Sequence, residues 1–303
     1  MGPLADVIEL NNARLSVGIV PELGAGLAWF DIRGEHERQP LFRSWPQQGT
    51  RDPVELACFL LVPWSGRISE GGFSFDGAFH ALDANMAGEP CPIHGNAWQR
   101  AWQVDAMEEQ AATMSLISDG PGPFEYRASL RYAIDAEALS IALSVRHRGS
   151  TPLPYGVGFH PWFPRSAQTR LRAPATSVWL ENNVHLPTEI RPVDAFPYWD
   201  FRTARDLPEH WINNGFNGWS GEAEISWPDR GVGLAIHAEP PLTSYIMYSP
   251  DGNADFFCFE PVSHAVDAHN LPGGPAEHGL TILQPGECLT ANCDIVPHWL
   301  KRR

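Results

Sequence analysis

Alternation of apolar and polar residues with a period of two runs through most of this chain. Residues 13–20 alternate into a Pro-Glu-Leu-Gly turn, and the pattern resumes over 26–32. Further alternating segments lie at 98–106, 113–118, 126–134, 139–146, 222–227, 233–238, 244–248, 256–260, 279–283 and 289–296. Side chains of a strand point alternately to its two faces, so each segment predicts a strand with one buried face. Phe73-Ser-Phe75 followed by Asp76-Gly77 predicts a strand ending in a tight turn, and Asp135-Ala-Glu137 predicts a hairpin between 126–134 and 139–146. Helical periodicity is confined to a short stretch near 205–212. It lies within a Pro-rich section, 186–215, that reads as an excursion over one face. More than a dozen short strands with almost no helix predict an all-β protein, a large antiparallel sandwich. A propeller would need an internal repeat, which the sequence lacks.

Composition adds to this picture. The chain has 303 residues, 43% of them hydrophobic and 19% charged, with 27 Gly and 28 Pro. These are values of a turn-rich folded protein. No linker or low-complexity segment divides it, which predicts one domain over 1–303. A net charge of −15 would be repelled by phosphate backbones and anionic membrane surfaces, so neither nucleic acid nor membrane is expected as a partner. The first ten residues lack the charged and apolar regions of a signal peptide. No apolar run reaches membrane-spanning length. The five cysteines are scattered and odd in number, which fits buried free thiols in a reducing compartment. Together these features predict a cytoplasmic location.

Four blocks each carry one polar, proton-handling or hydrogen-bonding side chain into an apolar, aromatic setting: LVPWSGRI with Arg67, PIHGNAW with His94, YGVGFHPWF with His160 and FFCFEP with Glu260. Imidazole titrates near neutrality and a carboxylate is its natural proton-transfer partner. Pro161 and Pro261 read as strand ends, which would place His160 and Glu260 where sites form. Aromatic neighbours suit the apolar faces of a sugar. Each residue also has a plain structural reading: a core imidazole for His160, an exposed turn for His94, a strand-end ion pair for Glu260, a salt bridge for Arg67. Cys91 and His94 make half of a zinc pattern that nothing completes, so no metal is expected. Asp251-Gly-Asn-Ala-Asp255 reads as a hairpin turn rather than a calcium loop, and the histidine-rich stretch 264–278 as a solvated loop. No nucleotide-binding or serine-hydrolase motif is present.

The order and spacing of these blocks resemble the aldose 1-epimerase (galactose mutarotase-like) family. The resemblance runs from VPELG (20–24) through LVPWSGRI and FSFDG, PIHGNAWQRAW (92–102) and GVGFHPWF (156–163) to FCFEP (257–261) and LQPGE (283–287). It implies a β supersandwich and an isomerase that interconverts the anomers of a free monosaccharide without a cofactor. In the family's roles, His160 protonates the ring oxygen, Glu260 takes the proton of the anomeric hydroxyl, and Arg67 and His94 bind the sugar. A segment resembling IDNCFTGW in the family reads WINNGFNGW here, with Asn213 where the family has a sugar-binding aspartate. A sugar-phosphate mutarotase and a non-catalytic sugar-binding protein remain the alternatives, and the protein could be a monomer or a homodimer.

Overall fold

The computed structural model describes residues 5–34, 37–46 and 51–300. Two large antiparallel sheets dominate it. The first has eleven strands. Its centre runs in the order Gly26–Arg33, Cys58–Leu61, Gly158–Pro164, Phe256–Val262, Ser244–Ser249, Ile212–Asn217, Ser177–Glu181. The second has nine strands, with Val232–Ala238, Cys288–Trp299, Leu139–His147, Glu125–Ile134 and Ala111–Asp119 as consecutive neighbours. One continuous apolar cluster draws on both, including Leu60, Phe159 and Phe257 from the first and Tyr132, Leu143 and Leu234 from the second. This is a sheet-on-sheet core.

The hairpin Glu125–Ile134/Leu139–His147 shows how local chemistry sets the architecture. Tyr126, Ala128, Leu130, Tyr132 and Ile134 are buried and the residues between them are not. They pair with His147, Val145, Leu143, Ile141 and Leu139 of the partner strand. A slip of one residue would turn this apolar set to solvent, so the register is firmly specified. Asp135 closes the turn by accepting from the backbone N–H of Glu137 and Ala138 at 2.7 and 2.8 Å. Gly72–Phe75 and Ala78–Ala81 form the expected small hairpin, with Asp76 and Gly77 both at positive φ (49° and 77°), as the tight turn requires.

Several sequence expectations need correction. The 98–106 segment enters its strand only at Gln103; Ala97–Gln99 is a 3-10 turn. Trp98 and Trp102 bury their indoles there and donate to the carbonyls of Gly95 and Ala97. Residues 205–212 form no helix: Arg205–Asp206 is a short strand, and Ile212 opens another. Pro208 inside that stretch removes a helical N–H. The Pro-rich section is less irregular than expected, because Pro187–Pro192 adds a strand at the edge of the first sheet. The histidine-rich stretch is solvated only in its second half, where Pro272, Gly273, Ala276 and Glu277 are exposed. His264, His269 and Asp267 are buried. Asp267 accepts from the backbone N–H and hydroxyl of Ser69 at 2.9 and 2.7 Å and so braces the loop after Arg67. Asp251 makes the expected turn, accepting from the N–H groups of Asn253 and Ala254. Cys58, Cys258 and Cys293 are buried free thiols, whereas Cys91 is half-buried and Cys288 exposed.

Candidate active site

Three adjacent strands at the centre of the first sheet, Cys58–Leu61, Gly158–Pro164 and Phe256–Val262, carry the site. All are buried on both faces. Leu60, Phe159, Phe163, Phe257 and Phe259 point into the core between the sheets. The alternate residues Phe59, His160, Trp162 and Glu260 face the other way and line a cavity of about 290 Å³. Arg67, His94 and Asn213 line the same cavity. The five candidates, drawn from residues 67 to 260, therefore converge.

His160 and Glu260 do not sit at strand ends. Each strand continues past its proline, to Pro164 and to Val262. Gly158 pairs with Val262 and Trp162 with Cys258, while no pairing is made between these two points. His160 and Glu260 stand opposite each other in that gap. Pro161 and Pro261 have no N–H to place in the missing ladder, which suits them to the point where the two strands part. Gly158 lets them close again: a Cβ on it would lie 2.8 Å from Val262 Cγ1 and 2.9 Å from the Pro261 carbonyl oxygen.

His160 Nε2 and Glu260 Oε1 are 3.3 Å apart. Both side chains are nearly inaccessible, at 9% and 4% exposure. His160 Nδ1 and Glu260 Oε2 have no hydrogen-bond partner among the described residues. Burial disfavours charge on both groups. It pushes Glu260 up from 4.5 to about 8, opposed by the positive field of Arg67. It pushes His160 down from 6.5 to about 3. Between those limits the pair holds one proton, resting on the carboxyl group. The imidazole is fixed by stacking, with Phe59 on it at 4.3 Å and 23° and Trp162 at 5.3 Å and 25°. Arg43 covers the Trp162 ring at 3.9 Å and adds to the lowering of His160.

His94 is not the exposed turn residue of the plain reading. It sits at φ 60° beside Gly95 at φ 62°. A Cβ on Gly95 would come within 2.0 Å of the Val62 carbonyl oxygen, which ties this turn to the 62–67 loop. His94 Nδ1 accepts the Gly66 N–H at 3.0 Å. Burial, then the fields of His160 and Arg67, hold it well below 6.5, so the ring is neutral and its proton is on Nε2. His94 thus offers a donor to the cavity. Arg67 spends most of its fork on Glu89: Nε donates to Oε2 at 2.8 Å and an Nη donates to Oε1 at 2.7 Å. Glu89 also lines the cavity. The salt-bridge reading of Arg67 is therefore true, and it coexists with a place in the pocket.

Asn213 donates through Nδ2 to Glu181 Oε2 at 3.0 Å. Trp211, His185 and Tyr248 complete this side of the cavity. Sequence reasoning missed Glu89, Glu181, His185, Tyr248 and Arg43, which lie in polar or irregular segments without a flanking pattern. As for metals, Cys91 and His94 gather no further ligands. Among the described residues the one convergence of three donor side chains is His160, Cys258 and Glu260, whose ligand atoms lie within 4.8 Å of one another. A metal there would need the Cys258 thiolate, and burial holds that thiol far above its usual range.

Comparison with known proteins bears on the family and the fold. The sequence pattern of the aldose 1-epimerase family matches residues 6–295. The chain belongs to the aldose 1-epimerase family. The uncharacterized protein YphB of Escherichia coli K12 is 35% identical over 268 residues, 86% of this chain and 90% of that one. A crystal structure of a protein from E. coli K12, suggested to be an aldose 1-epimerase, superposes with a TM-score of 0.89 at 31% identity, covering 97% of this chain and 99% of that one. An aldose epimerase homologue from C. elegans shares the fold at a TM-score of 0.82 and 17% identity, covering 98% and 100% of the two chains. The family acts on sugars, and no helix among the described residues is long and apolar enough to cross a membrane.

Proposed function

We propose that this protein interconverts the α and β anomers of a free monosaccharide, with His160 and Glu260 moving the protons. The observation that carries this reading is the 3.3 Å separation of Nε2 and Oε1 at the wall of one cavity. An anomeric centre bears two oxygens on one carbon. Opening the ring requires a proton delivered to one of them and a proton removed from the other. An acid and a base a few ångströms apart can reach both, whereas carboxylates placed for glycoside cleavage stand about 5 Å or more apart.

The sugar hydroxyl at C1 hydrogen-bonds the Glu260 carboxyl group. That contact and the nearby Arg67 charge favour ionised Glu260, and the pair's single proton passes to His160 Nε2. His160 gives it to the ring oxygen as the bond from C1 to that oxygen breaks. Glu260 takes the hydroxyl proton as C1 becomes an aldehyde. Rotation about C1–C2 turns the other face to the ring hydroxyl, and the reverse transfers close the ring. Atoms and protons balance over the cycle without a cofactor. His94 supplies a neutral donor, and Phe59, Trp98 and Trp162 supply apolar faces. A positioned acid or base contributes about 10²–10⁴-fold in rate.

The lining favours a neutral sugar over a sugar phosphate. Its one guanidinium, Arg67, is already paired with Glu89. Buried free cysteines fit the expected cytoplasmic location. Polarimetry on freshly dissolved single anomers tests the reading. Wild-type protein should accelerate the change in rotation, and His160→Ala should return it to the buffer rate. Sugar binding without acceleration would instead favour the non-catalytic alternative.

A further inference from the structure

Glu181 does not line the cavity, yet it holds three residues that do. Its Oε1 accepts the Trp211 indole N–H at 2.9 Å. Its Oε2 accepts from Asn213 Nδ2 at 3.0 Å and lies 3.0 Å from His185 Nδ1. Its side chain is 16% exposed. Trp211 stacks on His185 at 5.2 Å and meets the edge of Tyr248 at 5.3 Å. This wall is made by the strands Ser177–Glu181 and Ile212–Asn217 and the turn that carries His185, away from the acid/base pair.

We propose that Glu181 is the positioning residue that sets what this wall asks of the sugar. The two ends of an amide have the same shape, and their partners decide which way it points. A carboxylate can only accept. It therefore binds the nitrogen end of Asn213 through one of its two N–H groups and turns Oδ1, the acceptor end, away from Glu181 and toward the ligand. The wall presents an uncharged acceptor beneath the rim of Trp211, so it selects a sugar hydroxyl that donates. This assignment rests on the proposed monosaccharide substrate, but the coupling of Glu181 to Asn213 does not.

The arrangement makes an unusual prediction about substitution. Asn213→Asp, which restores the charge, should harm this protein, because it sets two carboxylates about 3 Å apart. Glu181→Gln should also harm it, because the glutamine amide can donate and Asn213 is then free to turn its own donor toward the sugar. Combined, the two changes should compensate: the introduced glutamine donates to one oxygen of the introduced aspartate, and the other oxygen faces the cavity as an acceptor.

The experiment is a double-mutant cycle with Glu181→Gln, Asn213→Asp and the pair, read by two measurements. In anomerisation kinetics each single change should raise KM about tenfold, the loss of one hydrogen bond with its partner left unmatched, with kcat within about twofold. The double variant should return KM to within about threefold of wild type. The monodeoxy sugar lacking the contacting hydroxyl should be insensitive to all three. In thermal melts without sugar, Asn213→Asp should lower Tm by several degrees and the double variant should recover it. Additive effects in both measurements would overturn the assignment. So would a loss confined to kcat, or a rise in KM that every deoxy sugar shares. If wild-type and His160→Ala proteins leave every sugar at the buffer rate, the proposed function fails, and the melts still decide the Glu181–Asn213 coupling.

Discussion

Replacing Glu260 by glutamine should change how stability depends on pH, and by an amount the structure specifies. In the folded protein Glu260 titrates at about 8, against 4.5 when the chain is unfolded. Between these values the folded state holds a proton that the unfolded state has released, so raising the pH withdraws stability. At about 1.4 kcal/mol for each pH unit, the full window is worth on the order of 5 kcal/mol. Glu260 is almost completely buried, so solvent screens little of this. His160 has the opposite sign. Its folded value of about 3 lies below 6.5, so its contribution is present above 6.5 and is lost as the pH falls through that window. The two slopes cancel between 4.5 and 6.5. Wild-type stability should be flat there, then fall above 6.5 because of Glu260 and below 4.5 because of His160. The amide in E260Q cannot titrate. Thermal melts from pH 5 to 8.5 should show E260Q gaining on wild type as the pH rises, by roughly 10 °C in Tm if about 2 °C accompanies each kcal/mol. A Tm difference that does not vary with pH would refute the claim that Glu260 is buried and protonated.

Further outcomes follow from the same geometry. The pair needs its one proton, so kcat/KM should stay level through neutrality and fall above about pH 8, as a pH series of anomerisation rates will show; a steady rise beyond pH 9 would contradict this. Tyr132→Phe removes a buried hydroxyl that donates to the Ala25 carbonyl at 3.0 Å, and denaturant titration should show a loss of about 1–3 kcal/mol. Gly95→Ala forces a Cβ against the Val62 carbonyl in a left-handed turn, so it should destabilise by about 1–3 kcal/mol and raise KM by displacing His94. Glu89→Gln leaves the Arg67 charge uncompensated and should turn glucose 6-phosphate into a better inhibitor in a competition assay.

Alternation is clearest where a strand has one wet face, although 13–20, 26–32, 244–248 and 256–260 were also read as strands and are buried on nearly all positions. Tyr126 to Ile134 alternates because its other face meets solvent. The strands that carry the site are buried on both faces, so Cys58–Leu61 and Gly158–Pro164 show no alternation to read. Pro161 and Pro261 then looked like terminators, when they are tolerated in mid-strand because the ladder between those strands is already open. His160, Glu260, His94 and Arg67 were legible because each is a polar residue in an apolar or aromatic block, and Asn213 only through the resemblance of WINNGFNGW to the family's segment. Glu181 and Glu89 were not, because they act on those residues across strand pairings and loop contacts that only the folded chain brings together.

In the proposed reaction the carboxyl group of Glu260 works at the anomeric carbon. Exchange spectroscopy by NMR, following the α and β signals of a panel of monosaccharides at pH 7, measures that chemistry directly. Wild-type protein should speed exchange for at least one sugar, and E260Q, shown folded by its melt, should leave that sugar at the buffer rate. Exchange that E260Q catalyses as fast as wild type would contradict the account.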